Sequence, residues 1–94
     1  MKNPISVRAV VSHEVKDYDE WRKFFDANAH FREQNGIVQS EVFRCPENPN
    51  KVFVLQHYAT VAAARAFLSR PEFKDNMQKA GVVSKPDVIL GVST

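Results

Sequence analysis

The sequence predicts an α+β domain with the element order β-α-β-β-α-β, and three observations carry that prediction. Separate segments alternate apolar and polar residues with a period of two, as strands half-buried in a sheet do. Between them lie segments rich in helix formers, each preceded by a residue able to cap a helix. Isolated glycines and one proline-rich pentapeptide punctuate the boundaries. Ninety-four residues make a single domain, 1–94, with a modest core that buries roughly 60–65% of the unfolded surface.

In Ile5–Val15 the odd positions Ile5, Val7, Ala9, Val11, His13 and Val15 form the more apolar face, which should meet the helices. Asp17 can cap a helix over Tyr18–Asn35, and Gly36 stops it. Ile37–Cys45 reads as a second strand. Pro46–Asn50 is so dense in turn formers that it should be excluded from strand structure, and Lys51–Ala59 follows as the third strand of a hairpin. Thr60 caps Val61–Ser69, Pro71 opens a short helix continuing to Ala80, and Gly81 ends it. Pro86 introduces the last strand, Asp87–Val92. The economical assembly is ferredoxin-like: a four-stranded antiparallel sheet in spatial order 4-1-3-2, helices on one face.

The other face should be polar, and it is not. The third strand has Phe53 and Leu55 on one side and Val52, Val54 and Tyr58 on the other; the last has Val88, Leu90 and Val92 against Ile89. Both faces need cover, which predicts a homodimer with a second copy on the open face.

Composition narrows the function classes. Thirteen basic and eleven acidic residues are interleaved, without the clustered positive charge of a nucleic-acid surface. Residues Met1–Val7 do not resemble a signal peptide and no run is long enough to span a membrane, so a soluble, cytoplasmic protein is expected. One cysteine, Cys45, allows no intrachain disulfide. No His, Cys or carboxylate pair has metal-ligand spacing and no glycine-rich phosphate loop occurs, so neither metal nor nucleotide cofactor is expected.

On a helical wheel of Tyr18–Asn35, Tyr18, Trp21, Phe24, Phe25 and Phe31 share one stripe, while Lys23, Asp26, His30, Glu33 and Gln34 face solvent. Asn28 and Arg32 fall inside the apolar stripe. Such groups need partners, so either they bond internally or they line a wet cavity. In the second case a pocket lies between helix and sheet, walled by Trp21 and Phe25, with Asn28 and Arg32 as polar handles for a small molecule. His13, on the apolar side of the first strand, is either a base for chemistry near neutral pH or a histidine bonded to a loop. His57 sits on an antiparallel strand and should not meet it.

The run His13–Trp21 (HEVKDYDEW), the hairpin Cys45–His57 (CPENPNKVFVLQH) and Met77–Val83 (MQKAGVV) followed by Pro86 resemble the dimeric α+β-barrel superfamily of small antibiotic-biosynthesis-monooxygenase-like proteins. The resemblance covers nearly the whole chain. It implies a homodimer whose two sheets form a barrel, with a pocket in each subunit between helices and sheet. Members include cofactor-independent quinone-forming monooxygenases, haem-degrading enzymes, isomerases and polyketide cyclases. The haem-degrading branch is disfavoured, because the first strand lacks its Asn, the third its Trp, and Val61–Ala80 its His. Quinone-forming members place Asn, Trp and Tyr around an aromatic substrate, and Asn28, Trp21 and Tyr58 match these residue types. Pocket and resemblance together give a first expectation, a monooxygenase-like enzyme acting on an aromatic or polyketide-like compound, in which Trp21, Phe25 and Tyr58 would bind it, Asn28 and Arg32 would hold its oxygens and His13 would be a base. A non-catalytic dimeric ligand-binding or sensing module using the same pocket is the alternative, and a domain with a filled core is a third.

Overall fold

The computed structural model describes residues 6–94. It contains β1 (Val7–Glu14), α1 (Tyr18–Ala27), α2 (Ala29–Gln34), β2 (Ile37–Cys45), β3 (Asn48–Tyr58), α3 (Val61–Leu68), α4 (Pro71–Lys79) and β4 (Asp87–Val92). The four strands form one antiparallel sheet in the order β2-β3-β1-β4, the expected topology. The expected strand start at Ile5 lies outside the described residues.

Caps and stops work as their chemistry requires. The Asp17 carboxylate accepts from the Glu20 N–H at 3.1 Å, and the Thr60 hydroxyl accepts from the Ala63 N–H at 3.0 Å. Gly36 ends the first helical stretch with φ +84°, and a Cβ there would lie 2.9 Å from the Ala63 Cβ. Glycine therefore answers both a left-handed backbone and a close helix approach.

Two expectations are corrected. Pro46–Asn50 is not a five-residue loop outside the sheet. Only Pro46 and Glu47 turn, Cys45 pairs with Asn48, and Asn48–Asn50 belong to β3. Proline is tolerated at a strand's start, and a bulge between Arg44 and Cys45 absorbs the irregularity. Nor is Tyr18–Asn35 one helix, for it breaks at Asn28. The Asn28 side-chain amide donates to the Phe24 carbonyl at 2.9 Å, and its backbone N–H is shared between the Phe24 and Phe25 carbonyls, both at 3.2 Å. A side chain that takes the carbonyl of the preceding turn competes with the helix, and here it ends it. Asn35 repeats the device on the Phe31 carbonyl at 2.7 Å.

Burial follows the period-two pattern. Val7, Ala9, Val11 and His13 of β1 and Val52, Val54, Gln56 and Tyr58 of β3 are buried beneath the helices. The core they build is divided. One cluster gathers Val7, Ala9, Ile37, Tyr58, Ala64 and Phe67; the other gathers Val15, Trp21, Val52 and Val54. Asn28 lies in the helical stretch that crosses from one cluster to the other.

The face away from the helices stays apolar. Register puts Phe43 beside Phe53, and Leu55 beside Val10, which in turn neighbours Ile89. Ile89 is 70% exposed and Phe43 49%. On the helix side of β4, Val88 and Val92 are also exposed, while Leu90 between them packs against the first core cluster.

Candidate functional site

Between the two core clusters lies a cavity of about 80 Å³, open to solvent on one side. Trp21 and Phe25 from α1, Phe31 from α2, Phe67 from α3 and Phe73 from α4 are its aromatic walls, with Phe24 beside them. His13, Gln56, Asn28, Arg32 and Asn76 are its polar members. The core is therefore not filled.

Of the residues singled out from sequence, His13, Trp21, Phe25, Asn28 and Arg32 all line this cavity. Tyr58 does not. It is buried behind the wall, and its hydroxyl donates to the Gln56 carbonyl oxygen at 2.7 Å. Gln56 and Asn76 escaped sequence reasoning, as did Phe67 and Phe73. For Gln56 a signal existed: it is the one polar residue in the buried alternation Val52, Val54, Gln56, Tyr58.

Trp21 organises one end. Its ring stacks on Phe25 at 5.0 Å between centroids and meets His13 edge-on at 5.8 Å. His13 is 3% exposed, and its Nδ1 has no hydrogen-bond partner. Burial lowers its pKa, against an opposing pull from its own backbone and with the nearby Lys51 charge adding a smaller effect, so the ring is neutral at pH 7. His57 stands opposite Arg8 while His13 stands opposite Val52, so the two histidines do not meet. His57 is on the other face, with its Nε2 3.3 Å from a Glu41 carboxylate oxygen.

Asn28 and Arg32 are largely engaged by the backbone. Arg32 donates to the Phe25 carbonyl, which also accepts from the Asn28 backbone N–H, and its guanidinium lies 3.6 Å from the centre of the Phe25 ring. Among the described residues no carboxylate forms an ion pair with Arg32. Burial lowers its pKa from the usual arginine value, though Asp26 opposes the shift. The two side chains thus bond internally and border the cavity at once. Sequence had offered these as alternatives.

The neutral, buried His13 has a consequence for stability. The unfolded chain binds a proton at His13 below about pH 6.5, whereas the native chain resists it to lower pH. Stability is therefore fully present above about 6.5 and falls as the pH drops below it, by up to about 1.4 kcal/mol per pH unit until the native pKa is reached. Urea midpoints between pH 7.5 and 5 should show this slope. His13→Leu should flatten it, and an unchanged slope in that variant would assign the effect elsewhere.

Fold and cavity together define a small ferredoxin-like domain with a helix–sheet pocket. Its sequence is more specific: residues 4–79 match the model of the antibiotic biosynthesis monooxygenase family, and the chain belongs to that family. No curated protein matches the chain by sequence. Among solved structures, a protein of Bordetella bronchiseptica superposes with a TM-score of 0.78 at 13% identity, over 97% of this chain and 99% of the other. One from Caulobacter crescentus gives 0.73 at 18%, over 95% and 90%. SnoaB, a cofactor-independent oxygenase from Streptomyces nogalater, gives 0.71 at 20% identity, over 97% of each chain. Among the described residues no helix is long and apolar enough to cross a membrane.

Proposed function

We propose that this protein is a cofactor-independent monooxygenase acting on an aromatic or polyketide-like compound in the cavity between helices and sheet. The observation that carries the reading is His13, a neutral imidazole with an unpartnered nitrogen, buried where aromatic rings wall an open cavity. Family membership and the likeness to an oxygenase that needs no cofactor support it.

On this reading His13 removes a proton from an activated carbon of the substrate. The resulting anion is electron-rich enough to reduce dioxygen itself. One oxygen atom stays as a new carbonyl, and the other leaves as water with the two hydrogens of the oxidised CH2 group. Arg32, half-buried and without a carboxylate partner, provides fixed positive charge for the anion. A cavity of about 80 Å³ is smaller than the roughly 150 Å³ that encloses one benzene. A multi-ring substrate therefore enters by displacing α4, which lines the cavity yet has no buried residue.

The test is oxygen uptake with a dihydroxyanthrone added to metal-free protein. One dioxygen consumed per quinone formed, above the uncatalysed rate, is the expected result. Binding without covalent change would instead favour the ligand-binding or sensing module. That second reading draws on one observation: Asn28 and Arg32 each already give a donor to a backbone carbonyl, of Phe24 and Phe25 respectively.

We further propose that the protein works as a homodimer through the open sheet face, where Phe43, Phe53, Leu55, Val10 and Ile89 form a continuous apolar band. Leu55→Asp should yield a monomer by native mass spectrometry. A dimer that persists would place the interface elsewhere.

A further inference from the structure

The cavity has two polar ends. His13 stands opposite Val52 and Gln56 opposite Ala9, so four residues of strand, about 13 Å, separate them along the sheet. Both line the same cavity. Gln56 is 4% exposed, and its single side-chain hydrogen bond among the described residues is the one its carbonyl oxygen accepts from Tyr58. That bond orients the amide. The oxygen is held by the tyrosine, so the two N–H donors are left for the cavity. Unlike His13 Nδ1, the amide nitrogen is not sealed away without a partner, so an acceptor in the cavity can reach it. Burial pushes the Tyr58 phenol well above its ordinary pKa, so it keeps its proton and goes on donating to the amide oxygen.

We propose that Gln56 is the residue that receives a ligand's ring-borne carbonyl oxygen, and that Tyr58 positions it. The inference rests on the pocket reading above and deepens it by naming the polar subsite. The subsite suits a neutral acceptor, because an amide offers donors without charge and its surroundings are apolar: Phe67 packs on Tyr58 at 6.3 Å between ring centroids and also lines the cavity. Sequence had assigned the oxygen-holding role to Asn28 and Arg32, each of which gives one donor to a backbone carbonyl at the helix break. Gln56 has no such obligation. Tyr58, expected to touch the ligand, acts instead through the amide it holds.

The test compares acetophenone with ethylbenzene, which differ only in the carbonyl oxygen. Each is titrated into the 15N-labelled full chain, with the Trp21 indole N–H and the Gln56 side-chain N–H2 followed by NMR. Acetophenone should move both signals, and ethylbenzene that of Trp21 alone. In Gln56→Met the ratio of the two dissociation constants should shift by roughly tenfold against acetophenone, with ethylbenzene binding retained. Tyr58→Phe should weaken acetophenone and leave ethylbenzene unchanged, which a purely structural role for the hydroxyl would not do. If Gln56→Met folds poorly for want of a partner to the Tyr58 hydroxyl, the double variant Gln56→Met/Tyr58→Phe makes the same comparison. A ratio unchanged in these variants overturns the assignment while leaving the pocket intact. Failure of both probes to move the Trp21 signal overturns the pocket reading and this inference with it.

Discussion

Replacing His13 with leucine should lower turnover by about 10²–10⁴-fold while leaving stability at pH 7 within about 1 kcal/mol of the native protein. The two halves of this expectation have one cause. His13 Nδ1 is buried without a partner, so the imidazole forgoes a hydrogen bond that a structural histidine would make. Leucine fills a similar volume, keeps apolar contact with Trp21 and removes the unsatisfied nitrogen. A residue that chemistry needs and stability does not is the pattern of an active group. The measurement is oxygen uptake beside thermal melting. A melting temperature lower by 10 °C or more would make His13 a structural residue, and unimpaired turnover would remove it as the base.

The largest effect on stability should come from Trp21→Ala, about 3–5 kcal/mol, or on the order of 20 °C in melting temperature. Trp21 is 3% exposed and touches His13, Tyr18 and Phe25, so its ring joins α1 to the buried strand β1. Its loss would leave Phe25 without a stacking partner and Arg32 resting on an unsupported ring. Calorimetric melting checks this. A drop below 1 kcal/mol would mean that α1 is held by something other than this aromatic cluster. Ligand binding should weaken in parallel, because Trp21 is also cavity wall.

Asn28 shows how far sequence reaches. The wheel correctly placed Asn28 on the buried stripe, with Lys23, Asp26, His30, Glu33 and Gln34 in solvent. It did not show that Asn28 ends the helix. Whether an asparagine continues a helix or takes the carbonyl four residues back depends on what packs on that turn, and here Arg32 supports the break by bonding the neighbouring carbonyl. The Pro46–Asn50 hairpin is similar. Local turn propensity is real, but strand pairing across the ladder overrode it from Asn48 onward.

Sequence by itself determined the order of elements, the sheet topology, the buried face of β1 with His13 on it, and the caps at Asp17 and Thr60. These depend on periodicity and on contacts within a few residues, which a linear chain carries in full. The family was also legible. Only the tertiary structure decided that the core divides into two clusters around a cavity, that the even-numbered face of β3 meets the helices, and that Gln56 faces the cavity while Tyr58 stands behind it. Those features depend on how residues more than forty positions apart fill a shared volume, and no local pattern encodes the space that packing leaves over.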